Sequence, residues 1–459
     1  MSATATTRLS RPAAEARSAA PVRMVHLGLG NFFRAHQAWY TDRAPDAHEW
    51  GIAAFTGRSP AVAQALAPQD GLYTLVTRGP DGDTDGLVAS LSAVHASDDH
   101  EAWLDYLRRP EVGVVTLTVT EAGYQRAGDG SLDVAHPDVA ADLAALRRDL
   151  NAATSTIPAR LVGGLAARRA AGAGPVAVVP NDNLPHNGAV ARRVVLELAA
   201  AVDAQLAGWI EENVSFVSTM VDRITPRPTE EDRRAVVERG GFDDRSPVVT
   251  EPFTEWVLAG GFPAGRPAWE ASGAQLVEHV TPFEHRKLWL LNGAHSLLAY
   301  AGSMRGHETV ADAVADTQVR SWVGQWWDEA AGHLRDAGDV AAYRSALLER
   351  FANPRIRHLL SQIAADGSQK LPVRIAPTLR AEREAGRMPR GAVRVLAAWL
   401  LHLQGHGAAV SDAHEVVAEV GGADRKEGAK LVVAHVVPDL ADDEALLHAV
   451  VELAEELSR

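Results

Sequence analysis

Met24-Val25-His26-Leu27-Gly28-Leu29-Gly30-Asn31-Phe32-Phe33-Arg34-Ala35-His36 decides how this chain folds. A short apolar run meets two glycines and passes into a helical pattern, which reads as strand, turn and helix. Such a turn brings backbone N–H groups and a helix N-terminus up to a pyrophosphate with no side chain in the way. Gly28, Gly30, Asn31 and Phe32 are therefore the candidate cofactor contacts. The full dinucleotide fingerprint has a third glycine where this sequence has Phe33, so the pattern by itself is an incomplete match.

Working outward, strand-like runs at 51–56, 112–120, 176–179 and 214–221 alternate with helix-like stretches. Alternation of this kind predicts an α/β fold with a parallel sheet covered by helices on both faces. Beyond residue 284 the pattern changes to long helical periodicities, such as 310–333 and 392–403, punctuated by Gly and Pro. The expected organisation is a disordered tail over 1–22, a dinucleotide-binding domain over 23–283 and a mostly α-helical substrate-binding domain over 284–459. The tail is read from its Ala, Ser and Thr content and from Arg8, Arg11 and Arg17 set against a single acid, Glu15.

Composition narrows the function classes. A net charge of −14 argues against nucleic acid or an anionic membrane surface as partner, since both reward clustered Lys and Arg. The chain has no cysteine, which excludes disulfides, thiolate metal sites and a Cys nucleophile, and is compatible with a reducing cytoplasm. No apolar run reaches the roughly 18 residues of a membrane span. The expectation is a cytoplasmic enzyme, a monomer or small homo-oligomer, acting on a small molecule.

A second stretch, Phe283-Glu284-His285-Arg286-Lys287-Leu288-Trp289-Leu290-Leu291-Asn292-Gly293-Ala294-His295, carries the chemistry. At about 100° per residue, Lys287, Leu291 and His295 fall within about 80° of one another, Glu284 lies on the same arc and Asn292 sits at its edge. A lysine on an otherwise apolar helix face loses hydration, which disfavours its charged form and makes it a usable general base near neutral pH. Asn292 and His295 are then placed to hydrogen-bond the oxygen whose proton leaves. The bland alternative is a helix whose leucines and Trp289 enter the core while its polar residues are solvated.

Three further polar clusters follow apolar runs: Thr118-Val119-Thr120-Glu121-Ala122-Gly123-Tyr124, Asn181-Asp182-Asn183-Leu184-Pro185-His186-Asn187-Gly188 and Met220-Val221-Asp222-Arg223-Ile224-Thr225-Pro226. The carboxyl ends of strands are where open α/β sheets place their ligands. Taken with the glycine turn and Lys287-Leu288-x-Leu290-Leu291-Asn292-Gly293-x-His295-Ser296, these clusters resemble the polyol-specific long-chain dehydrogenases in order from about Val25 to Leu401. That family includes mannitol 2-dehydrogenase, D-arabinitol dehydrogenase and fructuronate reductase.

The resemblance implies a metal-independent, nicotinamide-dependent enzyme with an N-terminal Rossmann-type domain and a helical C-terminal domain. It makes Lys287 the general base, Asn183 and Asn292 the pair that holds the reacting oxygen, and His295 a substrate-orienting group. Asp182 falls on the cofactor side and Asp222 on the substrate side, and Glu284 is the candidate relay of the proton to solvent.

Asn181 and Glu255 depart from residues usual in the family, at positions outside the proposed chemistry. The segment Ala54-Phe55-Thr56-Gly57-Arg58-Ser59-Pro60 has no acid for the ribose 2′-hydroxyl, and Arg58 with Ser59 suits a 2′-phosphate. NAD is expected, with NADP possible. The expected substrate pair is of the mannitol and fructose type. Lys370 and Arg374 in Asp366-Gly367-Ser368-Gln369-Lys370-Leu371-Pro372-Val373-Arg374 open the alternative of a uronate carboxylate, with arabinitol as a further alternative.

Two readings outside this class are a metal enzyme built on Glu278, His279, Glu284 and His285, whose spacing matches no standard ligand pattern, and a non-catalytic dinucleotide sensor, which has no need of Lys287, Asn292 and His295. Dialysis against EDTA should leave turnover unchanged; activity lost on chelation and restored by zinc would overturn metal independence.

Overall fold

The apolar runs of the N-terminal half become a six-stranded, all-parallel sheet in the computed structural model, which describes residues 7–459. Its strands are β1 (Val22–Leu27), β2 (Gly51–Phe55), β3 (Leu91–His95), β4 (Val114–Leu117), β5 (Val176–Pro180) and β6 (Val214–Phe216), in the spatial order β3-β2-β1-β4-β5-β6. This is the doubly wound order of dinucleotide-binding sheets, with the strand order reversing beside β1. The chain divides into two compact units, one ending at Thr281 and the other beginning at Pro282, two residues before the boundary expected from sequence.

Both faces of the sheet are covered, so its strands read as continuous apolar runs rather than as alternations. Val25, Leu27, Val115 and Val178 pack with Val162 and Leu165 of helix α3 (Ile157–Ala171) and Val194 and Leu198 of α4 (Asn187–Val202). Met24, Ile52, Val114 and Val179 face the other way. They pack with Phe33 of α1 (Asn31–Ala35), Tyr40 of α2 (Gln37–Arg43) and Trp256.

The run 214–221 is not one strand. It splits at Val217 into β6 and β7 (Ser218–Asp222), which leaves the main sheet and pairs antiparallel with β8 (Glu255–Ala259). A buried side chain explains the split. Asn187 accepts from Thr219 N at 2.9 Å and donates to Thr219 O at 3.0 Å, Thr219 Oγ1 at 3.1 Å and Asp182 O at 3.2 Å. Thr219 Oγ1 donates in turn to Pro180 O at 2.7 Å. Side chains thus replace the ladder that β5 offers β6. Strand β3 was not read from the sequence, because Ser92 and His95 dilute its apolar pattern.

The expected disordered tail is corrected over residues 7–22; residues 1–6 lie outside the described residues. Thr7–Arg8 pairs in parallel with Phe242–Asp243, and Leu9 is buried against Leu72 and Ala89. Two of the tail's arginines, Arg11 and Arg17, bond carbonyls and a carboxylate. Arg11 donates to Arg17 O at 2.6 Å, Ala89 O at 3.0 Å and Leu91 O at 2.8 Å, and Arg17 bonds Asp42 at 2.6 Å.

The C-terminal unit is helical, as its periodicity predicts. Its centre is α7 (Arg390–Leu403), buried along nearly its whole length and packed by α5 (Thr317–Ala331), α8 (Arg425–Val436) and α9 (Glu444–Leu457). The expected helix 310–333 is interrupted at Asp316, whose carboxylate caps α5 by accepting from Gln318 N at 2.9 Å. Among the described residues no helix is long and apolar enough to cross a membrane.

Asn187→Ala leaves the Thr219 amide and the Asp182 carbonyl without their buried partners. It should lower unfolding stability by about 2–4 kcal/mol in denaturant titrations, and an unchanged midpoint would show that Asn187 does not hold the β5–β7 junction.

Candidate active site

The glycine turn follows β1 directly. Gly28 has φ +107°, and a Cβ there would stand 2.0 Å from Thr118 O, so only glycine makes this turn. Gly28 N and Leu29 N both donate to Phe55 O, at 3.0 and 2.9 Å, which pins the turn to the end of β2. At Gly30 a Cβ would meet nothing nearer than Gly28 O at 3.6 Å. The turn therefore fits NAD by its own geometry: one glycine is dictated by the chain and the next leaves the backbone face open. Phe33, in place of a third glycine, is buried and stacks on His26 with ring centroids 3.4 Å apart. Burial pushes the His26 imidazole down to about 3, so it is a neutral part of the floor.

Asn31 accepts from Arg34 Nη2 at 2.7 Å, and Phe32 stacks on His36 with centroids 5.0 Å apart. Arg58 lies in the exposed turn after β2, where the ribose-reading residue is expected, and its carbonyl accepts from Ser97 Oγ at 3.4 Å. Asp182 is buried, and both its oxygens are engaged: Val119 N donates to one at 2.6 Å and the Tyr124 hydroxyl to the other. Its observed part is to tie the loop after β4 to the loop after β5. Burial raises its carboxyl to about 7 against the pull of those two donors. Asn183, the next residue, is exposed at the carboxyl end of β5, and Asp222 is buried at the end of β7.

Residues 281–302 form one continuous helical run, but it is not the uniform α-helix assumed from sequence. Lys287–Gly293 and Leu298–Gly302 are π-helical, joined by the α-turn Ala294–Leu297. With each amide pairing five residues back, the winding falls to roughly 82° per residue. Asn292, about 140° from Lys287 on an α-helix, comes to about 50°, and His295 moves from about 80° to about 30° on the other side. Lys287, Asn292 and His295 share one face because of the π-turn, a result that the α-helical arithmetic reached only in part.

Two buried indoles and a half-buried guanidinium donate to three carbonyls of this turn. Trp326 Nε1 donates to Trp289 O at 2.9 Å, Trp327 Nε1 to Leu290 O at 2.8 Å, and Arg374 Nη1 to Asn292 O at 3.3 Å and Ser296 Oγ at 3.1 Å. Gly293 admits the Trp326 ring, since a Cβ there would stand 2.7 Å from it. The two tryptophans carry no motif signal; in sequence they are an apolar pair on a helix.

Lys287, Glu284 and Asn292 are half-buried. His295 is buried, edge-on to His358 at 5.1 Å and tilted against Phe351 at 4.9 Å. Burial, reinforced by His358, Arg350 and Arg374, holds its imidazole well below the ordinary range and therefore neutral. Lys370 and Arg374 lie one turn apart on α6 (Gly367–Arg374). Lys370 Nζ donates to the carbonyls of Ile363 and Ala365, closing the end of helix Leu360–Ala364. Burial lowers its ammonium from the usual lysine range, with Arg374 adding to the effect. Both residues expected to meet substrate thus have structural bonds as well.

A doubly wound sheet with a glycine cradle, followed in the chain by a helical unit that presents lysine, asparagine and histidine on one face, defines a nicotinamide-dependent dehydrogenase. The mannitol dehydrogenase Rossmann-domain model matches residues 22–271 and the mannitol dehydrogenase C-terminal-domain model matches residues 279–458; the chain belongs to the mannitol dehydrogenase family. It is 40% identical over 394 residues to the D-mannonate oxidoreductase of Escherichia coli, covering 83% of this chain and 80% of that one. Among solved structures it is similar to a substrate-free D-sorbitol dehydrogenase, with TM-score 0.90, 30% identity and 98% of each chain covered. It is also similar to the Pseudomonas fluorescens mannitol 2-dehydrogenase in ternary complex with NAD and D-mannitol, with TM-score 0.76, 32% identity, and 99% of this chain and 94% of that one covered.

The raised carboxyl of Asp182 gives a pH prediction. The folded chain keeps a proton that the unfolded chain releases at its ordinary carboxyl value of 3.8, so the contribution is full below about 4 and is lost as pH rises through about 7. Asp182→Asn should flatten the fall in thermal midpoint between pH 4 and 7; an identical slope in the variant would place the dependence elsewhere.

Proposed function

We propose that this protein interconverts a secondary alcohol of a sugar alcohol and the corresponding ketose, of the mannitol and fructose type, with NAD as redox partner and without a metal. The observation that carries the reading is the common face of Lys287, Asn292 and His295 on the π-wound helix, in a family whose relatives act on polyols and their oxidised forms. NAD, when bound at Gly28, Gly30, Asn31 and Phe32, supplies the two-electron hydride acceptor. The proton and the oxygen are handled by the chain.

In the oxidative direction Lys287 takes the hydroxyl proton as the carbon–oxygen bond becomes a carbonyl, and Glu284 passes that proton toward solvent. The Asn292 side-chain amide donates to the oxygen while it carries negative charge, and Asn183 is assigned the second such amide. His295, held neutral, orients a neighbouring hydroxyl, and Asp222 contributes to substrate binding. Reduction runs through the same groups in reverse.

A second reading, a sugar acid of the mannonate and fructuronate type, is favoured by one observation. The cations acting on His295 are Arg350 and Arg374, and Lys370 lies one turn from Arg374. Such surroundings suit a substrate carboxylate. D-Arabinitol stays within the first reading.

Mannitol, arabinitol, sorbitol, mannonate, fructose and fructuronate, each with NAD or NADP and followed at the nicotinamide absorbance, separate these readings, and the exposed Arg58 makes the NADP arm informative. The highest kcat/KM on a neutral polyol or ketose supports the first reading, and on an acid the second. Lys287→Ala should lower kcat by about 10²–10⁴-fold with NADH binding retained; near-normal turnover at neutral pH would sink the mechanism.

A further inference from the structure

A π-turn is rare, and here side chains add donors to carbonyls of its backbone ladder, Leu290 O accepting from Ala294 N as well. Here those side chains are specific. Consecutive residues of α5, Trp326 and Trp327, point their indole N–H groups at consecutive carbonyls of the turn, Trp289 O and Leu290 O. Trp326 and Trp327 are buried to within 2% of full burial, so each donor has one partner and no water to exchange with. Trp326 reaches its carbonyl only because position 293 lacks a Cβ. The bond from Arg374 to Asn292 O, shared with Ser296 Oγ, holds the end of the same turn.

We propose that Trp326 and Trp327 are positioning residues for catalysis: their indole N–H groups hold Lys287–Gly293 in the π-winding that turns Asn292 and His295 onto the Lys287 face. Without that hold the segment relaxes toward α-helix, and Asn292 swings by about 90° away from Lys287. The inference rests on the catalytic reading of Lys287 and Asn292. It assigns the tryptophans an effect on turnover, not merely on stability.

The test is a double-mutant cycle. Trp326→Phe keeps an aromatic ring and removes the donor; it should lower kcat at least 10-fold, with substrate KM and NADH affinity changed less than threefold. In an Asn292→Ala background the same substitution should cost at least threefold less than in the unmodified protein, because one of the two groups it misplaces is already gone; an undiminished cost would overturn the proposal. Trp327→Phe should behave in the same way. If phenylalanine leaves too much space to fold, benzothienylalanine at either position keeps the ring size and removes only the N–H. Variants that fold and retain kcat within twofold while Asn292→Ala loses turnover would overturn the positioning role and leave the catalytic reading standing. Full activity of Asn292→Ala and Lys287→Ala would overturn the catalytic reading and, with it, the inference.

Discussion

Backbone amides and carbonyls inside this protein must be paired, and where the regular ladder ends or widens side chains supply the partners, a constraint that shapes each of the two units. In the N-terminal unit, the loops after β4 and β5 are closed by Asp182 and Asn187, whose side chains stand in for missing ladder bonds. In the C-terminal unit, carbonyls of the π-turn are met by Trp326, Trp327 and Arg374. Asn183 follows Asp182 directly, and Asn292 lies within the turn. Both asparagines are therefore attached to backbone whose neighbouring groups are bonded to distant side chains.

The same rule explains why α1 ends after five residues. Arg34 O accepts from the Tyr73 hydroxyl at 2.7 Å, Ala35 O accepts from Arg223 Nη1 at 2.5 Å, and the His36 ring donates from Nε2 to Glu255 O at 2.9 Å. Arg34 itself reaches Ser246 O, binding the helix to a segment more than two hundred residues away. Burial pulls the Arg34 and Arg223 guanidiniums down to about 10, which leaves both charged at neutral pH, and carbonyl oxygens surround much of that charge. The cofactor turn thus stands on a short helix locked by buried cations rather than on a long helix packed through a third glycine.

Electrostatic choices at the site follow from burial more than from pairing. His26 and His295 are kept neutral in dry surroundings, and Asp182 is raised toward neutrality in spite of two donors. Neutral imidazole at position 295 keeps both a donor and an acceptor, whereas a cation would have donors alone. Solvation differences of this kind depend on what the whole fold excludes from water, so they are invisible along the chain.

The sequence by itself determined the doubly wound sheet, through apolar runs buried on both faces, and the helical second unit, through its period. It also determined the glycine turn, because local spacing carries that information, and it placed Lys287, Asn292 and His295 on one helical run without giving their common face. Only the tertiary structure decided that residues 7–22 pack on the sheet unit, that 214–221 breaks at Val217, that Asp182 serves as a clamp and that Lys287–Gly293 winds as a π-helix. Each of these depends on a partner distant in sequence: carbonyls at Ala89 and Leu91 for Arg11, Thr219 for Asn187, Tyr124 for Asp182, and the indoles of Trp326 and Trp327 for the π-turn. A periodicity records which face of an element is dry, but it does not record which distant donors will meet the carbonyls of a turn, and around Asn292 those donors are the indoles of Trp326 and Trp327 and the Arg374 guanidinium.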